Sequence, residues 1–150
     1  MSDPAQRPVS ALMRRDFVSI GPADSLLEAD RIMRLARIRH LPVLEKGRLA
    51  GMLSHRDVLY ASLSKLESAG PRERLEYLRA IPVRDAMQRE VVTAEESMTL
   101  GEAARRMLGR KIGCLVVVRP NATGLEAIAL LTESDLLRAA YAPDYRGASD

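Results

Sequence analysis

Two four-residue segments, Ser54-His55-Arg56-Asp57 and Thr132-Glu133-Ser134-Asp135, each set a hydroxyl and a carboxylate three residues apart. Each follows a short apolar stretch and opens a helical pattern. At a helix N-terminus that spacing supports two chemistries. The structural one is capping: the hydroxyl accepts a backbone N–H and the acid answers it, favoured by the helix dipole. The other is recognition. The first N–H groups of a helix attract phosphate, a carboxylate accepts hydrogen bonds from both hydroxyls of a ribose, and Arg56 can hold phosphate bidentately. His55 adds a donor. In the second segment Glu133 and Ser134 stand where His55 and Arg56 do. Glu133 repels phosphate, so the two sites are not expected to be equivalent.

The two segments are parts of a longer repeat. Val9–Val43 moved forward by 74 residues falls on Val83–Val117, and twelve of those 35 pairs are identical, among them Met13/Met87, Arg15/Arg89, Met33/Met107 and Leu41/Leu115. After a four-residue insertion the offset becomes 78, and Leu53–Asp57 falls on Leu131–Asp135. Repeats of this length dictate the fold, and the cleft between copies is the natural ligand site.

Each copy reads β-α-β-β-α. In the first, Phe17–Ile20 reads as a short strand ended by Gly21-Pro22. Asp24 or Ser25 caps a helix whose apolar positions are Leu26, Ala29, Met33 and Ala36, with Leu27, Ile32 and Leu35 beside them. Leu41–Leu44 is a strand with Pro42 at its start or on an edge. Glu45–Arg48 is a tight turn, Leu49–Leu53 the returning strand, and a helix runs from Ser54 toward Leu66. In the second, a strand at Val91–Thr93 precedes a helix near Thr99–Arg110. Strands at Cys114–Val118 and Ala127–Leu131 flank a longer loop, Arg119–Gly124, and a helix follows from Thr132 to Tyr141. Between the copies, Arg72–Arg79 reads as a short separate helix with Leu75 and Leu78 as its buried contacts. Residues 1–8 read as a loose arm, and the tail after Pro143 as frayed. A parallel pair plus a hairpin gives each copy a three-stranded sheet with helices on one face. The recurring Met13, Met33, Met87 and Met107 belong in the core.

The chain has 150 residues, 47% hydrophobic and 29% charged, with no Trp and one Phe. The core must be aliphatic and Met-rich, and a bound base meets few aromatic faces. A single Cys excludes an internal disulfide framework and fits a reducing compartment. No apolar run approaches the roughly 20 residues needed to span a bilayer, and Met1-Ser2-Asp3-Pro4 lacks the layout of a signal peptide. The cytoplasm is therefore the expected location. The net charge is +3, too small an excess to argue for nucleic acid as a partner. Arg31, Arg34, Arg37 and Arg39 form a basic run read as a solvated helix face, with attraction to an anion as the alternative. No phosphate-binding glycine loop, Cys pair, metal-binding His-Glu-x-x-His or nucleophile elbow is present. Two histidines and one cysteine cannot build a usual zinc site. No enzymatic activity and no metal are expected.

The order Arg39-His40-Leu41-Pro42-Val43 then Gly51–Asp57, echoed by Ile112–Val118 then Ala129–Asp135, resembles a tandem pair of CBS domains, the Bateman module. The resemblance spans roughly residues 8–140. It implies an α+β fold of two β-α-β-β-α motifs packed with pseudo-two-fold symmetry. The divisions are an arm at 1–7, CBS repeats at 8–66 and 83–141, a linker with a short helix at 67–82, and a tail at 142–150. It also implies clefts that bind adenosine nucleotides such as AMP, ADP or ATP, with S-adenosylmethionine second. By position the first pocket comprises Val18, Ser19, His40, Leu41, Pro42, Ser54, His55, Arg56 and Asp57. The second comprises Val92, Thr93, Gly113, Cys114, Leu115, Thr132 and Asp135. In such pairs the motif Asp contacts ribose, and the base lies against backbone and aliphatic groups.

Two departures from the pattern stand out: Ala129 replaces Gly51, where a methyl could narrow a close backbone approach, and Val116 replaces Pro42. Cys114 reads as a small buried hydrophobe and Lys111 as a solvated lysine. His40 reads either as a half-buried strand residue or as part of the pocket lining. The expected function is a stand-alone regulatory module that senses an adenosine nucleotide. It would signal to a regulated partner chain and form a homodimer through exposed apolar helix faces. The alternative is a ligand-independent interaction or dimerisation module whose motifs are only caps.

Overall fold

The structure, a computed structural model, describes residues 3–63 and 70–145. Two compact units are present. One is formed by residues 18–90, the other by residues up to Phe17 together with the chain from Val91 onward. The units and the sequence repeats exchange their beginnings. Val9 and Met13, at the head of the first repeat, are buried in the core that holds Leu115, Val117 and Leu131. Val83, at the head of the second, is buried in the core that holds Leu41, Val43 and Leu53.

In the 18–90 unit, α1 (Leu26–Ala36) starts at Ser25, whose Oγ accepts the Glu28 N–H at 3.2 Å. Leu26, Ala29 and Met33 are buried at helical spacing, but Leu35 is 86% exposed and does not join them. The helix ends at Arg37, in the left-handed region with φ 54°. β1 (His40–Glu45) and β2 (Arg48–Ser54) form an antiparallel hairpin. It leads into α2 (His55–Leu63) and α3 (Pro71–Ala80). The expected continuation of α2 toward Leu66 lies outside the described residues. Leu78 is buried as expected; Leu75 is 44% exposed and is not a buried contact.

The other unit repeats this plan with β3 (Thr93–Ala94), α4 (Leu100–Arg110), β4 (Cys114–Asn121), β5 (Gly124–Thr132) and α5 (Glu133–Tyr141). β3 pairs parallel to β4, and β4 antiparallel to β5. Thr99 and Glu102 complete a capping box at the start of α4, and Lys111 ends it at φ 54°, the place Arg37 holds in α1. Lys111 is exposed. Over its described residues the N-terminal arm is not loose: Pro4–Gln6 form a turn of 3-10 helix, and the Arg7 carbonyl accepts the Leu100 N–H at 2.8 Å. The tail beyond Tyr145 lies outside the described residues.

The expected strand at Phe17–Ile20 is a single bridge, Ile20 to Val43. The reason is Pro42. Ile20 N–H donates to the Pro42 carbonyl at 3.0 Å, but Pro42 has no N–H to extend the ladder backwards. Val116 stands at that position in the other copy and donates to the Val92 carbonyl at 3.4 Å, and there β3 forms. The inserted residues also differ from expectation. Both hairpins carry an irregularity at equivalent positions, Val43/Leu44 and Val117/Val118. Beyond it the second hairpin continues in register to Asn121 opposite Gly124. The insertion lengthens the strands, not the loop. The turn itself is only Ala122-Thr123.

Candidate functional site

In the 18–90 unit the hairpin register sets His40 opposite Ser54, at the mouth of α2. The His55 N–H donates to the Arg39 carbonyl at 2.8 Å, tying the start of the helix to the start of β1. Ser54 and Asp57 cap reciprocally: Asp57 N–H donates to Ser54 Oγ at 3.1 Å, and Ser54 N–H to Asp57 Oδ2 at 2.8 Å. Asp57 Oδ1 accepts only a long bond, 3.2 Å, from the Gln88 side-chain amide. His40, Ser54, His55 and Asp57 are half-buried and Arg56 is exposed. Ser54 and Asp57 thus meet at one helix N-terminus, with His55 and Arg56 in its first turn and His40 across the hairpin from Ser54.

The second motif has the same frame and a different interior. Cys114 stands opposite Thr132, and the Glu133 N–H donates to the Gly113 carbonyl at 3.0 Å. Asp135 Oδ2 accepts both the N–H and the hydroxyl of Thr132 at 2.9 Å. Its Oδ1 accepts Arg14 Nε at 2.9 Å, and Arg138 lies at 3.8 Å. Asp135 is only 4% exposed. Glu133 covers Gly113: a Cβ there would lie 3.0 Å from the Glu133 carboxylate.

Not all expected lining residues can line a pocket with their side chains. Leu41 and Leu115 point into the two cores and are fully buried. A ligand could meet only their backbone. Val18 and Ser19 are exposed; Pro42 is buried. Val92 and Thr93 are half-buried, and the Thr93 carbonyl accepts a 2.6 Å bond from Arg106. Burial, and secondarily the Asp135 charge, push the Cys114 thiol from its ordinary 9.0 to about 12. It stays protonated at neutral pH and is not a thiolate nucleophile. The close approach at Gly51 is made by the protein itself: a Cβ there would lie 2.6 Å from Met87 Sδ and 2.9 Å from the Gln88 carbonyl.

Two residues at these motifs escaped the sequence reading, Arg14 and Gln88. They are 74 apart, and each sits between pairs that are identical in the two copies, Met13/Met87 and Arg15/Arg89. A break inside a matched run was the available signal. A separate shallow depression along α4, lined by Met98, Glu102, Arg105, Arg106, Gly109 and Arg110, contains none of the expected site residues. Among the described residues no cluster of His, Cys, Asp and Glu could hold a metal ion, and no helix is long and apolar enough to cross a membrane.

Two units of one plan, each with a hydroxyl–carboxylate motif where a hairpin enters a helix, define a tandem repeat module of α+β type. The chain belongs to the CBS domain family, whose sequence profile matches residues 9–64 and 83–142. It is 31% identical over 130 residues to a CBS domain-containing protein of Dictyostelium discoideum, covering 86% of this chain and 88% of that protein. It is 29% identical over 129 residues to protein MJ1225 of Methanocaldococcus jannaschii, matching 83% of this chain but only 44% of that protein's length. It is 32% identical to inosine-5'-monophosphate dehydrogenase of Korarchaeum cryptofilum over 22% of the enzyme. The solved structure of MJ1225 superposes with a TM-score of 0.75 at 26% identity, covering 89% of this chain and 48% of that one. CBSX2, solved in complex with AMP, gives 0.73 at 24% identity over 93% of this chain and 99% of its own.

Proposed function

We propose that this chain is a regulatory module that binds an adenosine ligand of the AMP, ADP or ATP type at the Ser54–Asp57 motif and signals to a partner chain. The observation that carries the reading is the state of Asp57. Among the described residues its Oδ1 accepts one bond, the long one from the Gln88 amide, so it keeps acceptor capacity for a ribose diol. Two cationic residues adjoin the motif and suit an anionic ligand: Arg56 lies in the first turn of α2, and Arg39 immediately precedes β1. The same fold holds AMP in CBSX2 and 5'-methylthioadenosine with S-adenosylmethionine in the CBS pair of MJ0100. Regulation further requires the ligand to favour one of two states of the module. The expected setting is the cytoplasm.

A thermal-shift panel with AMP, ADP, ATP, S-adenosylmethionine and GTP tests this. At 100 times its dissociation constant a ligand adds about 2.7 kcal/mol of stability. A rise confined to adenosine compounds supports the reading. A flat panel on nucleotide-free protein removes it.

The second reading, a ligand-independent interaction module, is favoured by the caps: both motifs are already satisfied as helix N-termini. Leu59 and Leu63 of α2 and the equivalent Leu137 and Tyr141 of α5 are exposed, which suits a homodimer in either reading. Leu59→Asp with Leu137→Asp should then give a monomer by sedimentation, and an unchanged mass would remove that interface.

A further inference from the structure

We infer that Arg14 closes the second motif, so that the chain binds one adenosine ligand, at Asp57, and not two. The inference rests on the reading just given, that a motif carboxylate takes the ribose hydroxyls. Arg14 and Gln88 occupy equivalent places. The backbone of Arg14 bridges Leu130, and that of Gln88 bridges Met52, the equivalent residue. From there each side chain reaches its motif carboxylate, but with different chemistry. Gln88 offers Asp57 a neutral amide at 3.2 Å, whereas Arg14 offers Asp135 a guanidinium at 2.9 Å.

Both bonds end on a carboxylate, but only Arg14 brings a full positive charge to it, so the Arg14–Asp135 contact at 2.9 Å adds an ion-pair attraction that the Gln88 amide at 3.2 Å lacks. A ribose diol is neutral, so it can displace the Gln88 amide on comparable terms but not the Arg14 guanidinium. The remaining capacity of Asp135 is also taken. Oδ2 holds two bonds from Thr132, and Arg138 stands 3.8 Å from Oδ1. Arg14 itself is 52% exposed, which weakens the pair by solvent screening; the closure therefore depends on all three partners together.

A second observation points the same way independently. Arg39 and His55 of the first motif correspond to Gly113 and Glu133 of the second. The Glu133 carboxylate lies over Gly113. A phosphate that would be drawn to the first helix N-terminus meets a negative charge at the second.

Isothermal titration of AMP into the full chain tests the inference, with folding of each protein checked by its melting temperature. Wild type should bind one AMP per chain, and Asp57→Asn should weaken that binding at least tenfold. Arg14→Gln combined with Glu133→His, which installs the residues of the first motif in the second, should bind two. Gln88→Arg, the reciprocal transfer, should bind none. Two AMP per wild-type chain overturns the inference, as does a single wild-type site lost in Asp135→Asn but kept in Asp57→Asn. Unchanged stoichiometry in the folded Arg14→Gln, Glu133→His protein, or binding that survives in Gln88→Arg, also overturns it. AMP binding to none of the proteins, wild type included, overturns the adenosine reading beneath it, a result recognisable because the wild type is silent too.

Discussion

Arg14 and Gln88 hold one position in two copies of a motif, and they hold the carboxylate in front of them differently. The Arg14–Asp135 contact is a 2.9 Å ion pair to a buried acid; the Gln88–Asp57 contact is a 3.2 Å amide bond to a half-buried one. A duplicated frame has thus kept its geometry while its electrostatics diverged. The consequences for stability and for binding can be separated by substitution.

Asp57→Asn should weaken AMP binding at least tenfold while leaving the melting temperature within a few degrees. The amide oxygen can still accept the Ser54 N–H that completes the capping box of α2, but the group no longer offers two acceptor oxygens to a diol. Calorimetry and a melting curve on the same sample decide this. Unaltered affinity would remove Asp57 from the site.

Alanine at the two motif carboxylates should have unequal costs. Asp57→Ala loses the hydrogen bond from the Ser54 N–H that completes the capping box, about 1 kcal/mol. Asp135→Ala also strips a buried network that holds Arg14, Arg138 and Thr132, and about 2–3 kcal/mol is expected. Urea unfolding of both proteins measures the difference; equal losses would mean that the ion pair adds nothing to the fold.

Gly51→Ala should destabilise by about 1–3 kcal/mol. The new methyl would meet Met87 Sδ, which can swing away, but also the Gln88 carbonyl at 2.9 Å, which is paired with Met52 and cannot retreat cheaply. Ala129, its counterpart, already carries a methyl and is fully buried. A neutral Gly51→Ala would show that the segment at Gln88 gives way.

The Cys114 thiol sets a pH dependence of known sign. Its folded value of about 12 lies above its ordinary 9.0. Between those values the unfolded chain releases the proton and the native chain keeps it, so the native state binds more protons and loses stability as pH rises. The group's contribution is complete below pH 9 and falls by about 1.4 kcal/mol per unit above it. Wild type should therefore lose stability faster than Cys114→Ala between pH 9 and 11. Parallel decline of the two proteins counts against a buried, protonated thiol.

The repeat carried most of the fold. Both hairpins, both capped helices and the places of Met13, Met33 and Met107 in the cores follow from apolar spacing and from residues matched 74 or 78 apart. The misses have physical causes. Phe17–Ile20 has strand composition, but ladder formation depends on the partner, and Pro42 withholds the donor that Val116 supplies. Leu35 and Leu75 lie next to apolar stripes without facing the core, a distinction that propensity does not make. The insertion at Arg119–Gly124 was visible, but its use as added strand was not, because register is set by pairing. At the site, the motif residues were legible because they serve as caps and as acceptors with the same atoms. Arg14 and Gln88 were not, since their importance arises only where distant segments meet.

Those meetings follow from the exchange of leading segments. A protein cut at the repeat borders would not yield two domains. A fragment of residues 83–142 would start with Val83, a side chain suited to the interior of the unit left behind. It would lack Val9 and Met13, which fill its own interior. The chain is covalently one duplication but structurally a reciprocal loan. Each repeat thus depends on the leading segment of the other to complete its core.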